Sequence, residues 1–518
     1  MNRKLKAVLS ALLVVLTLVT SVGLPLCASA ATYENDLPIV YVQGRDRTIY
    51  NKNGKKIMPF STDPEDLIMK ESDRLLAAFS SSVLQKNWDI YCDELVAVVS
   101  EVYKDVTLDN NGEASDGSYV KANATPTAKT SNFGLNDYVF NYDSRLDPWT
   151  VAKELRTYIN NVLKATGKSK VQLVSRCLGT NYAAAYLTRY KSEAKSKIDT
   201  CVLYVPSAKG TIMVSESFSG EFKFDPDLIN TYVNEYMEDS EMTELLKAVV
   251  SVTYSMSILS LGTNAVESVY QQIADRVVPE LILATYGTMP SYWSMVDDEH
   301  YDKAKSLVLS GKEEEYAGLI EKIDRYHNKV MINLDSTLLS LRNSGMKVAI
   351  IAKYNTALAP LFESSNVQAD GLVELSSLSF GATAADMGKT LSKAYLDDVS
   401  LSGAIDYVSD DLIIDSSTCL FPDNTWFIKD SPHGAFKSSM NNLILTIVRQ
   451  KKQMTVWDNE KYPQYLQYNS NNTLTPISAA TPGDGAESSG GSTNILSTII
   501  NFFSKIINVI KSLLGIGK

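Results

Sequence analysis

VQLVSRCLGTNYAAAY, residues 171–186, decides the fold. Val171–Val174 is an apolar, β-rich run, and Asn181–Arg189 has the small-residue composition and spacing of a buried helix. No loop separates them, so strand runs directly into helix with Cys177 at the junction. Ser175, Arg176, Cys177, Leu178 and Gly179 fit the pattern G-x-S-x-G, with thiol for hydroxyl and Ser for the first Gly. That pattern places a nucleophile on a sharp turn, and the flanking residues are small because the backbone there is crowded and strained. A thiol at a helix N-terminus gains from the helix dipole and from free N–H groups, both of which favour thiolate. A neighbouring imidazole favours it further. The alternative role for Cys177 is a core cysteine, a common fate for this residue type.

Around this segment, strand patterns alternate with helical ones. Leu37–Gln43, Asp137–Asn141, Thr200–Val205 and Lys347–Ala352 read as strands. Two helical patterns fill Pro64–Val106, and Val151–Thr166 is helical, whereas Thr107–Asn132 is polar and turn-rich. The alternation predicts an α/β fold with a mainly parallel sheet. Between Lys209 and Arg342 the strand signal stops. Helical patterns run through Asp227–Tyr236, Met242–Ser260, Ala265–Tyr286 and Asp302–Asn328. We expect a core built from residues 31–208 and 343–478, interrupted by a helical lid insertion at 209–342.

Of the 518 residues, 45% are hydrophobic and 21% charged, which fits globular structure and argues against a disordered or polytopic membrane chain. The formal charge is −11. The first thirty residues carry Arg3, Lys4 and Lys6 and no acid, so the remainder stands at −14. Such a surface lacks the basic footprint that nucleic-acid binding needs. Five Cys are too few for a disulfide scaffold, and three His argue against a His-rich metal centre. Asp109–Glu113 does not match an EF-hand loop, and no P-loop or dinucleotide fingerprint is present. No metal or other cofactor is expected.

Both ends read as separate modules. A basic start, the apolar run Ala7–Val22 and Ala28-Ser29-Ala30 make residues 1–30 a secretory signal, so the protein is expected to be extracellular. Residues 479–493 are a Gly/Ser/Pro linker. Residues 494–518 form an amphipathic tail. It carries Ile495, Ile499, Phe502, Phe503 and Ile506 on one face and Lys505 and Lys511 on the other, which suits a membrane or cell-surface contact.

Further motifs occur in a telling order: Val42-Gln43-Gly44 with Thr48-Ile49-Tyr50 and Gly54-Lys55-Lys56, then Tyr142-Asp143-Ser144-Arg145, Met289-Pro290-Ser291-Tyr292 and Asp370-Gly371-Leu372-Val373. With the Cys177 turn, they resemble the α/β-hydrolases, and within them the lipase branch related to lecithin:cholesterol acyltransferase. Gln43 and Cys177 depart from that branch's Pro and Ser.

The resemblance implies an α/β-hydrolase fold with a helical lid, and the chain order nucleophile, acid, base. His300 and His327 fall in the helical insertion, which leaves His433 as base. Asp370 matches the family's acid motif. Asp411, Asp415 and Asp430 compete with it. The resemblance also implies an oxyanion hole from the backbone N–H groups of Arg45 and Leu178. Trp293 and Trp426 are candidates to wall an acyl pocket. The expected substrates are small-molecule or lipid acyl esters. Alternatives are acyl transfer to an alcohol through the same residues, or a catalytically silent surface-binding protein in which Cys177 is inert or paired with Cys201.

Overall fold

The computed structural model describes residues 35–44, 48–58, 71–85, 87–221, 277–360 and 362–477. The signal, the linker, the amphipathic tail, Arg45 and the helical patterns at 227–236 and 242–260 lie outside them.

Eight strands form the main sheet, numbered here in chain order: β1 Ile39–Val42, β2 Tyr138–Phe140, β3 Val171–Cys177, β4 Ile198–Pro206, β5 Lys347–Tyr354, β6 Thr425–Lys429, β7 Tyr465–Tyr468 and β8 Leu474–Pro476. Their spatial order is β8-β7-β6-β5-β4-β3-β1-β2. Every neighbour pair is parallel except β7 with β8. The register sets Tyr41 opposite Val174, Leu173 opposite Cys201, and Leu203 opposite Ile350. β5 is buried along its whole length, as a central parallel strand covered on both faces should be.

Helix α1, Pro148–Thr166, begins with Asp147, whose carboxylate accepts the Trp149 and Thr150 N–H groups. It ends at Gly167, which adopts φ 68°. Its Val151, Leu155, Ile159 and Val162 are buried at helical spacing. It packs on α2, Gly179–Arg189, the helix that leaves β3. These elements and the sheet share one hydrophobic core. Beyond β4 come α3, Ile212–Ser219, and then α4, Tyr301–Leu309, and α5, Ala317–Lys329. A second apolar cluster joins parts of these helices to residues 277–296 and to Leu95, Val98, Val99 and Tyr103.

The single helix expected over Asp302–Asn328 is two helices. The chain turns at Gly311, whose φ of 75° suits a residue without Cβ. The polar stretch 107–132 contributes Tyr119–Val120 to a three-stranded antiparallel sheet with Ile49–Tyr50 and Lys56–Met58. Strands β6, β7 and β8, which complete one side of the sheet, also escaped the sequence reading.

Candidate functional site

The Cys177 turn is as sharp as its sequence implies. Cys177 adopts φ 50°, a left-handed conformation that costs a non-glycine residue about 1–2 kcal/mol. The chain passes from the end of β3 through Leu178 into α2. The turn needs small residues because β1 ends against it. A Cβ on Gly179 would stand 2.4 Å from the carbonyl oxygens of both Val42 and Gln43. A Cβ on Gly44 would stand 3.1 Å from Cys177 Cβ and 3.6 Å from its Sγ. Thr180 Oγ1 donates to the Cys177 carbonyl at 2.7 Å, and Tyr142 OH donates to the Gln43 carbonyl at 2.5 Å. Tyr142 therefore supports the β1 loop, while the neighbouring Asp143 and Arg145 form a buried bidentate ion pair at 2.7 and 3.0 Å.

The acid and the imidazole come from the loops after β5 and β6. Asp370 is fully buried. Its Oδ1 accepts the N–H groups of Leu372 at 3.1 Å and Val373 at 2.9 Å. Its Oδ2 lies 2.6 Å from His433 Nδ1, and its carbonyl accepts the His433 N–H at 2.7 Å. With Asp370 ionised, Nδ1 carries the proton and donates it. The other ring nitrogen, Nε2, is buried and bonded to no other group, and Cys177 and His433 lie close enough to shift each other's titration. Cys177 and His433 are each 7% exposed.

The two groups titrate in opposite directions. Burial raises the Cys177 thiol pKa, but the His433 imidazolium, the Arg176 guanidinium and the Leu178 N–H outweigh it, and the net shift is downward. Burial lowers the His433 pKa, but the Asp370 carboxylate and the Cys177 thiolate reverse that and carry it up to about 10. Together the shifts favour a thiolate–imidazolium pair at neutral pH. By contrast, burial pushes the Cys201 and Cys419 thiols up to about 12. Cys177 and Cys201 are both free thiols, which removes the pairing considered above.

Three adjacent strands hold the His433 loop, and none of these contacts was foreseen. Arg176 of β3 donates to the Gly434 carbonyl at 3.0 Å and lies over the Phe436 ring. Tyr204 of β4 donates to the Ala435 carbonyl at 3.2 Å. Lys353 of β5, with no exposed surface, donates to the carbonyls of Pro432 at 2.8 Å and Ala435 at 2.5 Å. Burial, and secondarily Arg176, lowers the Lys353 pKa to about 7 against the opposing pull of Asp370. A signal did exist: a lysine inside the apolar run KVAIIAKY of a central strand needs a buried purpose.

Other expected residues lie elsewhere. Trp293 and Trp426, the candidates for an acyl-pocket wall, are packed into the two apolar clusters. Both are buried, and their indole N–H groups donate to the Gly287 carbonyl at 2.8 Å and the Tyr462 carbonyl at 3.1 Å. Their size and single satisfied donor suit core packing. Asp411 accepts from Tyr354 OH and pairs with Lys429, Asp415 accepts from Tyr395 OH, and Asp430 accepts from Asn355 and Gln467. Leu178 stands directly after the thiol, as expected, whereas Arg45 is outside the described residues.

A mainly parallel sheet, a sharp strand–turn–helix after β3, and loops after β5 and β6 converging on it define an α/β-hydrolase fold. No family model matches the chain. Among solved structures, it is similar at 10% identity and a TM-score of 0.18 to one from work on carboxylesterases of the ammonia-oxidizing thaumarchaeon Nitrososphaera gargenis, over 62% of this chain and 73% of that one. It is similar at 12% identity and a TM-score of 0.23 to a Tle4–Tli4 complex, over 61% of this chain and 75% of that one.

Proposed function

We propose that the protein hydrolyses acyl esters, small or lipid-like, with Cys177 as nucleophile, His433 as proton carrier and Asp370 as the group that orients it. The supporting observation is the arrangement around one ring: His433 Nδ1 is bonded to Asp370 at 2.6 Å, its Nε2 is buried and uncommitted, and the ring is electrostatically coupled to a thiol held at a positive-φ turn.

In this reading, His433 has accepted the Cys177 proton before substrate arrives. The thiolate attacks the ester carbonyl carbon, and the carbonyl π pair moves onto oxygen. The resulting oxyanion is met by the Leu178 N–H and, by expectation, the Arg45 N–H. Collapse expels the alkoxide, which takes the imidazolium proton from Nε2 and leaves a thioester. His433 then removes a proton from water, and the hydroxide attacks the thioester. The second collapse releases the carboxylic acid product and restores the resting pair. Asp370 keeps the imidazole in the tautomer that presents Nε2 to sulfur.

The same reading includes export through residues 1–30 and attachment to a membrane or cell surface through residues 494–518. The test of the chemistry is turnover of p-nitrophenyl acetate and butyrate by wild type and Cys177→Ala. Turnover should disappear, and wild-type enzyme quenched during turnover should carry one acyl group per chain. Undiminished turnover in the variant would refute the assignment. Product analysis with added alcohol separates hydrolysis from acyl transfer. Deleting Asn494–Lys518 should release the protein from lipid vesicles while sparing turnover; unchanged vesicle binding would refute the attachment.

A further inference from the structure

A second group of reactive side chains lies apart from Cys177. A cavity of about 600 Å³ is lined by Lys209, Ile212, Glu216, Glu221, Asp297 and His300, among others. In its wall, Glu216, Glu221 and His300 each offer one ligand atom, and these atoms all lie within 4.8 Å of one another. We propose that Glu216, Glu221 and His300 form a binding site for one first-row divalent cation of the Zn²⁺ type.

The carboxylates alone would carry no such conclusion. The buried one is what points to a ligand. Glu216 is 2% exposed, and although Ser364 leans on the carboxylate, its Oε2 is buried with no hydrogen-bond partner. An orphaned carboxylate oxygen is costly to bury and calls for a counter-ion. The histidine is arranged as a metal ligand is. Its Nδ1 lies 2.7 Å from Asp297 Oδ1, and Nε2 faces Glu221 Oε2 at 3.4 Å. Donation from Nδ1 to a carboxylate fixes the tautomer that leaves an Nε2 lone pair for a cation, the usual outer support of a metal-bound His. Asp297 is itself held, since its Oδ1 also accepts the His300 N–H at 2.9 Å and its own N–H donates to Ser215 Oγ at 3.0 Å. Glu221 is divided in the same sense: Lys303 pairs with Oε1, while Oε2 turns toward His300.

One nitrogen with two carboxylate oxygens suits Zn²⁺ or a similar ion, and a tetrahedral site would keep a fourth position for water. Bonds of about 2.0–2.2 Å require ligand atoms roughly 3.3–3.6 Å apart; His300 Nε2 and Glu221 Oε2, at 3.4 Å, already meet this, and the widest of the three separations must close by at most about an ångström. The ion would tie α3, through Glu216, to the 297–300 turn. The start of α3 is already tied to the Asp370 turn: Thr211 Oγ1 donates to the Leu372 carbonyl at 2.9 Å, and the Ile212 N–H donates to Glu374 at 3.0 Å. The proposal does not depend on the esterase reading.

The competing description is an imidazolium paired with Asp297 and Glu221, with no ion. Calorimetric titration of the metal-stripped, tag-free full chain with ZnCl₂ distinguishes the two, with CaCl₂ and MgCl₂ as controls. One equivalent of Zn²⁺ should bind and raise the thermal midpoint, and Ca²⁺ and Mg²⁺ should bind more weakly. Glu216→Gln and His300→Asn should each weaken Zn²⁺ binding at least about 100-fold, and Asp297→Asn about 10- to 100-fold. Cys177→Ala should leave it intact, because the other thiol–imidazole pair is not the site. Glu221→Gln, at a half-buried position, provides a ligand variant with little risk to folding. Absence of saturable one-to-one binding would overturn the proposal. So would binding that survives Glu216→Gln with His300→Asn, or binding that is lost in Cys177→Ala.

Discussion

Asp370→Asn should silence the enzyme without unfolding it, and the hydrogen bonds around the carboxylate say why. Oδ1 accepts two backbone N–H groups, from Leu372 at 3.1 Å and Val373 at 2.9 Å, while Oδ2 faces His433 Nδ1 at 2.6 Å. An asparagine has one oxygen to place. Set on the two N–H groups, it keeps both bonds. Turned the other way, it leaves two buried donors unsatisfied, at about 1–3 kcal/mol each. The amide NH₂ therefore points at His433, where it donates to Nδ1. The ring proton moves to Nε2, so the nitrogen facing Cys177 can no longer accept. The imidazolium also loses its carboxylate. An equivalent change of tautomer in a serine-protease triad costs about 10⁴ in kcat, so we expect kcat/KM on p-nitrophenyl butyrate to fall by about 10³–10⁴. That is roughly 4–5.5 kcal/mol of transition-state stabilisation. The urea midpoint should move little, because the turn keeps its hydrogen bonds. A folded Asp370→Asn enzyme within about threefold of wild type would refute the coupling of Asp370 to catalysis.

Iodoacetamide should alkylate Cys177 at pH values below those needed for a free thiol, because the His433 charge holds its pKa down against burial. His433→Ala should move that profile upward, and an unchanged profile would mean the two groups are uncoupled. Lys353→Met removes the amine that grips the Pro432 and Ala435 carbonyls, and a loosened His433 loop should lower kcat at least about tenfold. The same substitution has a signed effect on stability. With the folded amine near 7 and the ordinary value 10.5, the unfolded chain binds more protons between those values, so Lys353 makes stability rise with pH there. Urea unfolding at pH 7 and pH 9 should show that rise reduced in Lys353→Met; an unaltered slope contradicts the assignment. Gly179→Ala would press a Cβ to within 2.4 Å of two carbonyl oxygens and should cost about 1–3 kcal/mol, read from the shift in urea midpoint.

What the sequence determined by itself was local. A strand meeting a small-residue helix at Cys177 requires contacts only between near neighbours, so the turn could be read from adjacent residues. The alternation of strands and helices is similarly local, although the Gly311 break and the short strands β6, β7 and β8 were too brief to leave a period. The proposed base was legible because the chain has only three histidines and two of them fall within the helical stretch. The family motif singled out Asp370 in the sequence, but only the tertiary structure brings its carboxylate to His433 and commits Asp411, Asp415 and Asp430 to other partners. It placed Trp293 and Trp426 in the core, because burial depends on what packs over a side chain and not on its type. It also brought Arg176, Tyr204 and Lys353 under one loop, and Glu216 and Glu221 beside His300. Arg176, Tyr204 and Lys353 are far apart along the chain and meet only because parallel strands with long crossovers bring their ends together at one edge, a relation that no window of sequence contains.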